Sequence, residues 1–146
     1  MEEHEKIVLT VGNTFRKTWI AANPEVPERI LRAQAEAIKL FYSDKAAAVA
    51  AYRKYDKAVS ETDASRVYDS IVRLNLIDRI PLLQKVSAEA VVERIGADIP
   101  ALKTFDFQKC IDNRPVRKLI EEGFYVKVFG DGIKAEQDAL LKGAFA

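Results

Sequence analysis

The chain has 146 residues, of which 49% are hydrophobic and 31% charged, the composition of one ordinary globular domain. Its 23 lysines and arginines nearly balance 22 aspartates and glutamates, so the net charge of +1 favours neither a polyanion nor an acidic substrate as partner. A single cysteine excludes a disulfide within the chain, and no apolar run approaches the ~20 residues that a membrane-spanning helix needs.

Two features are predicted at the start of the chain. Residues 1–6 are mostly charged and lack the apolar core of a secretory signal. We therefore expect a disordered tail and, unless the chain is a piece of a longer protein, a cytoplasmic location. Residues 7–11 are a β-branched run closed by Gly12-Asn13, which predicts a strand buried on both faces. Such a strand must pair, either with residues 125–129 or with another chain.

Seven helices are predicted by apolar periodicity and by capping residues. They cover residues 15–22, 27–42, 45–55, 64–74, 87–95, the span between Asp112 and Gly123, and residues 133–142. The predicted cap or start residues are Thr14, Asp44, Ser60 and Asp112, and the predicted stops include Gly96 and Gly123. The fold class is therefore mainly α, with about seven helices and one or two short strands, in a single domain over residues 1–146.

The helical spacing also predicts which faces are buried. In residues 27–42 the apolar stripe comprises Ile30, Leu31, Gln34, Ala37, Ile38 and Phe41. In residues 64–74 the predicted buried face comprises Val67, Tyr68, Ile71, Val72 and Leu74.

Few residues in the sequence could carry catalysis. His4 is the only histidine and lies in the charged tail, which argues against Ser-His-Asp and Cys-His catalysis within one chain. Cys110 is the only cysteine, so a zinc site of the usual histidine and cysteine composition is not expected either. The apolar and capping neighbours of Cys110 predict a buried, inert thiol. We therefore expect no enzymatic activity, no catalytic residues, no metal and no cofactor.

Three residues that follow the predicted strand are candidate ligand contacts: Asn13, Thr14 and Trp19. A segment that joins a strand to a helix N-terminus exposes free backbone N–H groups, which often touch ligands. Capping of the helix is the alternative role for Asn13-Thr14. Trp19 lies one helical turn beyond Phe15, so this pair either packs in the core or offers an aromatic surface on which a ligand stacks.

A winged-helix DNA-binding domain is one alternative interpretation. Its parts would be the helix at residues 87–95, the helix that Gly123 ends and a wing strand at residues 124–129. The residues after Gly132 have a helical pattern, however, and do not predict a second wing strand. The basic residues are spread evenly along the chain, whereas DNA-binding domains concentrate them on one face. We therefore expect no nucleic-acid partner.

The order of the segments resembles the C-terminal half of periplasmic substrate-binding proteins of ABC importers, of the nitrate, sulfonate and taurine type that includes thiamine-precursor binders. That family shows a strand, a short helix that ends in Asn-Pro-Glu, a long helix with Leu-Arg-Ala, an alanine-rich helix, a later helix and a closing cap, helix and Gly-Phe. The corresponding residues here are 7–11, Asn23-Pro24-Glu25, Leu31-Arg32-Ala33, Ala37-Ile38, Asp44-Lys45-Ala46, 87–95, Ile111-Asp112-Asn113 and Gly123-Phe124.

The resemblance implies part of a two-lobed α/β fold of the periplasmic-binding-protein type II, in a periplasmic or extracytoplasmic parent. Such proteins close by a hinge on a small molecule, here a sulfonate, nitrate, taurine or a pyrimidine-like ligand, and deliver it to an ABC permease. Most of the sheet and most ligand contacts of the family lie in its N-terminal half, so binding by this chain alone is expected to be impaired.

Self-association is a further expectation. Helix faces that normally lie on the sheet would be exposed, which favours a homodimer through apolar faces or a swap of the strand at residues 7–11. A stand-alone helical dimerisation or interaction domain is therefore the main alternative function.

Overall fold

The computed structural model describes residues 12–146 and consists of eight α-helices and two short 3-10 helices over that part of the chain. The α-helices are α1 (Lys17–Ala22), α2 (Val26–Ser43), α3 (Lys45–Tyr55), α4 (Glu61–Leu74), α5 (Lys85–Ile95), α6 (Arg114–Glu121), α7 (Phe124–Phe129) and α8 (Ile133–Gly143). The 3-10 helices cover Pro100–Thr104 and Phe107–Lys109. The prediction of a mainly α fold is confirmed.

Several helix ends follow directly from local capping chemistry. The Asp44 carboxylate accepts a hydrogen bond from Ala47 N at 2.9 Å and caps α3, and Ser60 Oγ accepts one from Asp63 N at 3.1 Å and caps α4. Gly96 follows α5, as predicted. Thr14, in contrast, does not cap α1, because that helix begins after Arg16, whose side chain makes no capping hydrogen bond.

The predicted strand at residues 125–129 is wrong, because these residues lie in α7. Gly123 adopts φ +69°, which ends α6 and lets the chain begin a new helix at once. The backbone hydrogen bond from Lys127 N to Gly123 O, 3.0 Å long, closes the first turn of this helix. The same finding removes the wing that a winged-helix domain would need. The predicted strand at residues 7–11 and the predicted tail at residues 1–6 lie outside the described residues.

Within residues 12–146, the only strand-type pairing is an isolated antiparallel bridge between Gln84 and Ala144. It joins the irregular segment before α5 to the residues that follow α8. A paired β-sheet therefore contributes nothing to the described part of this fold, and its stability depends on helix packing.

The core lies where α2, α6, α7 and α8 meet the segment at residues 80–82. Its largest fully buried side chains are Tyr125, Ile80, Leu119, Ile133 and Asn113. In α2 the face directed at this core consists of Pro27, Leu31 and Ala35, whereas Gln34 and Ala37 of the predicted stripe are exposed.

Helix α4 is much more exposed than its apolar pattern predicts. Of its residues only Ala64 is buried, whereas Val67 is 43% and Leu74 54% exposed. The reason is that α3 is its main packing partner in the described chain, so α4 forms the outer layer of a hairpin on α2. Apolar side chains on one side of α4 thus stay in contact with solvent.

None of the helices in the described part of the chain is both long and apolar enough to cross a membrane.

Candidate functional site

Asn13 is joined to α2 by a reciprocal pair of amide hydrogen bonds. Asn13 Nδ2 donates to Gln34 Oε1 at 2.9 Å, and Gln34 Nε2 donates to Asn13 Oδ1 at 3.2 Å. Both side chains and the neighbouring Thr14 are exposed. The structure therefore places two of the three predicted ligand contacts on the surface beside α2, where Asn13 also serves to hold the chain against that helix.

Trp19 and Phe15 stack face to face on the surface. Their ring centroids are 5.5 Å apart and their planes differ by 8°. Trp19 is 43% exposed and Phe15 half-buried, so the expectation that this pair packs in the core is wrong. The physical reason is that α1 has no buried residue at all. An exposed face of an aromatic ring is a surface on which a planar or apolar group can stack.

A groove of about 570 Å³ lies beside α5. One wall is the face of α5 that carries Ala88 and Val92, and the other is formed by Leu102, Phe105 and Phe107. Phe105 and Phe107 meet edge to face, with centroids 5.1 Å apart and planes at 85°. The volume and the aromatic lining are of the kind that small-molecule and peptide sites have.

The rim of this groove carries both signs of charge. Lys85 and Lys103 contribute cations, and Glu89, Glu93 and Asp106 contribute carboxylates. Asp106 is engaged locally, because its carboxylate accepts a hydrogen bond from Gln108 N at 3.1 Å. The mixed rim gives the groove no strong preference for an anion or a cation.

Cys110 is exposed, so the prediction of a buried thiol is wrong. It follows the 3-10 helix Phe107–Lys109, which turns the side chain outward, and its Sγ donates a hydrogen bond to Phe107 O at 3.3 Å. The thiol is thus accessible on the surface.

The described residues offer no preformed metal site, since no group of three histidine, cysteine or acidic side chains among them could hold an ion. His4 lies outside the described residues. Among residues 12–146, the most deeply buried titratable side chain is Tyr125, whose pKa is raised far above its ordinary value because burial disfavours the phenolate. Its hydroxyl has no hydrogen-bond partner among the described residues, and Tyr125 belongs to the core cluster rather than to the lining of the groove.

Asn113 is the polar residue whose importance the sequence pattern did not reveal. It is 1% exposed, and its amide satisfies three backbone groups: it accepts from Leu83 N at 2.9 Å and donates to Leu83 O and Phe145 O, both at 3.0 Å. Its neighbour Asp112 remains partly exposed, accepts from Arg114 N at 3.0 Å and pairs with the Arg114 guanidinium. That guanidinium lowers the pKa of Asp112.

Comparisons with protein-family models, with curated proteins and with solved structures found no match to this chain.

Proposed function

We propose that this chain is the C-terminal, helical part of a substrate-binding protein of an ABC importer, one lobe of a two-lobed α/β protein that binds a small molecule without chemical conversion. The proposal rests on the order of capping motifs in the sequence. It includes an extracytoplasmic parent and an ABC permease as the partner of that parent.

The motif Ile111-Asp112-Asn113 is the observation that carries this proposal. In the family that the sequence resembles, this motif is a closing cap. Here Asn113 joins the start of α6 to the backbone of Leu83 and of Phe145. A motif that only capped a helix would tolerate serine, threonine or aspartate. A buried amide with three backbone partners requires asparagine, which gives a physical reason for that motif.

Three other motifs of the resemblance also fall at element boundaries, whereas Leu31-Arg32-Ala33 and Ala37-Ile38 lie within α2. Asn23-Pro24-Glu25 separates α1 from α2, Asp44 caps α3, and Gly123-Phe124 joins α6 to α7. These boundaries are independent of one another, so their shared order adds to the support that Ile111-Asp112-Asn113 gives.

The ligand would contact the surface formed by Asn13, Thr14 and Trp19. An exposed amide and hydroxyl can hydrogen-bond to a sulfonate or nitrate oxygen, and the exposed indole can stack on a pyrimidine-like ring. In the two-lobed parent this surface would be one side of the cleft, which hinge closure completes. Binding by one side alone should be weak.

The test uses the unmodified chain and a ligand panel of taurine, alkanesulfonates, nitrate and pyrimidines. A ligand that binds the native state raises Tm with a logarithmic dependence on its concentration. Because Trp19 is the only tryptophan, its fluorescence reports on this surface without a label. We expect a saturable change in Trp19 emission with taurine or a sulfonate, at millimolar concentrations. A dissociation constant above ~10 mM is weaker than that of most specific sites. If no member of the panel changes Tm or Trp19 emission at concentrations up to that value, ligand binding by this chain is rejected.

Two exposed threonines provide a matched pair for locating the site. Thr14→Val removes the exposed hydroxyl that follows Asn13 in the chain, whereas Thr104→Val removes one on the 3-10 helix Pro100–Thr104. We expect only Thr14→Val to weaken the ligand-dependent shift. An equal effect of both substitutions would assign the shift to general stabilisation rather than to this surface.

A second candidate function is a helical interaction domain that forms a homodimer. The exposed apolar side chains of α4 and its neighbourhood favour it, namely Val67, Val72, Leu74 and Leu76. Light scattering over a hundredfold range of protein concentration tests it. A mass that rises towards twice 16.4 kDa supports a dimer, and Leu74→Glu should then return the chain to a monomer. A monomer throughout the range argues against it.

A further inference from the structure

Phe145, near the end of the chain, is held to the body of the protein by its backbone. Phe145 N donates to Leu83 O at 3.0 Å. Phe145 O accepts from Asn113 Nδ2 at 3.0 Å and from Arg117 Nη2 at 2.9 Å. Phe145 is only 6% exposed, so backbone hydrogen bonds and burial of the phenyl ring both hold it in place.

Residues 85–109, which we call the flap, comprise α5 and the two 3-10 helices. In the described chain, α5 has at most marginal contact with any other helix, in contrast to α2, α6 and α7. The groove described above lies between the two halves of the flap. Among the described residues that line it, Phe145 is the only one from outside the flap.

We propose that the flap opens as a unit and that Phe145 is the latch that holds it closed. The buried side chain of Phe145 lines the groove together with residues from both halves of the flap, whereas its backbone is bonded to Leu83, Asn113 and Arg117 outside the flap. Segments with little packing against the rest of a protein open locally at a lower free energy than global unfolding. Loss of the buried phenyl group removes apolar contact that nothing else in the groove replaces.

The Asn113 side chain contacts both the latch residue Phe145 and the backbone of Leu83, just before the flap begins. Leu83 lies two residues before the flap begins, and Asn113 binds its backbone N–H and C=O as well as the carbonyl of Phe145. The antiparallel bridge between Gln84 and Ala144 reinforces the same junction. Undocking of Phe145 therefore loosens the point at which the flap joins the body.

Hydrogen exchange measured by mass spectrometry on Phe145→Ala tests the latch. Phe129→Ala is the control, because Phe129 packs on the core away from the flap lining. We expect Phe145→Ala to accelerate exchange in residues 86–96 by about tenfold or more relative to α2 and α6. Phe129→Ala should accelerate all helices together. Unchanged protection of α5 in Phe145→Ala, or an equal acceleration in every helix, overturns the proposal.

Exchange of the wild-type chain at low urea concentrations provides a test that needs no variant. The amide groups of the flap should exchange through an opening that exposes less surface than the opening that exposes α6. The free energy of the flap opening should therefore depend less steeply on urea concentration. If α5 and α6 exchange through one common opening, the flap does not move by itself and the proposal is wrong.

Discussion

Arg32 on α2 donates a hydrogen bond to Glu122, which follows α6 and lies 90 positions further along the chain. Arg32 also pairs with Glu28 at 2.9 Å, and Lys118 lies 2.5 Å from Glu28 and 3.7 Å from Glu122. The four side chains form a closed ring of alternating charge across the contact between α2 and α6. The Arg32 guanidinium lies 4.6 Å from the centroid of the Phe124 ring, so the charge ring covers one edge of the core.

The charge ring predicts a pH dependence of stability at Glu28. Hydrogen bonds from Lys118 and then Arg32 lower the pKa of this carboxyl group below its ordinary value. A group with a lowered pKa in the folded state stabilises the protein above its unfolded pKa, about 4.3, and that stabilisation is lost as the pH falls through the folded pKa. Glu28→Gln should therefore be less stable than wild type at neutral pH, by about 0.5–1 kcal/mol.

Urea denaturation at neutral pH and near pH 3 measures this difference, which should shrink at the lower pH. Glu61→Gln is the control, because Glu61 also pairs with an arginine, Arg53, but is 78% exposed. An identical pH dependence for both variants would contradict a special role of the charge ring.

Substitution of Asn113 should destabilise the protein strongly. Asn113→Ala leaves the N–H group of Leu83 without a partner and removes one of the two donors to its C=O group, which costs about 1–3 kcal/mol. Asn113→Asp should cost more, because a second carboxylate oxygen would face the carbonyls of Leu83 and Phe145. Urea denaturation tests both. Asn13→Ala is the matched control, since its amide pair is exposed, and a change above ~0.5 kcal/mol there would be unexpected.

Two glycines at which an added methyl group meets no neighbour allow the effect of backbone conformation on stability to be measured without a steric clash. An added Cβ would meet no atom within 4 Å at Gly123 or at Gly132, but only Gly123 has a positive φ, of +69°. Gly123→Ala should lower the free energy of unfolding by about 1–2 kcal/mol through the left-handed conformation alone. Gly132→Ala, at φ −60°, should leave stability unchanged or raise it by up to about 1 kcal/mol. Chemical denaturation of the two variants under one set of conditions measures their free energies of unfolding. Equal losses of stability would contradict the prediction.

Two leucines in helices distinguish the core from the exposed α4. Leu119 on α6 is 0% exposed, and Leu119→Ala should cost about 2–5 kcal/mol because it creates a cavity in a packed core. Leu74 on α4 is 54% exposed, so Leu74→Ala should cost well under 1 kcal/mol. Thermal denaturation at a protein concentration low enough to suppress self-association measures both. A large loss of stability on Leu74→Ala would mean that this face of α4 is covered in solution.

The starts of α3 and α4 could be predicted because their causes are local. Asp44 and Ser60 each satisfy a backbone N–H group three residues further on, so the pattern of one short segment suffices. The segment at residues 125–129 shows the opposite case. Its alternating valines and aromatics predict a strand, but packing of Phe124 and Tyr125 against α2 and α6 overrides that local preference.

The candidate ligand surface stays a prediction. Asn13, Thr14 and Trp19 are exposed, and the hydrogen-bond partner of Asn13 lies 21 residues away on α2, where no local pattern could indicate it. The groove beside α5 could not be predicted, because Phe145 meets residues 85–109 only after the chain has folded back. The exposure of Cys110 likewise depends on the 3-10 helix before it, which the sequence pattern did not predict.

The sequence by itself determined the mainly helical class and the starts of α3 and α4, because hydrogen bonds within three or four residues and apolar periodicity control both. It also restricted the available chemistry, through one histidine and one cysteine. Tertiary structure alone decided which apolar faces became core, and it brought together Arg32 with Glu122 and Asn113 with Phe145. Those contacts join residues that are far apart in the chain, and their formation depends on the closure of long loops and on burial, which no local pattern encodes.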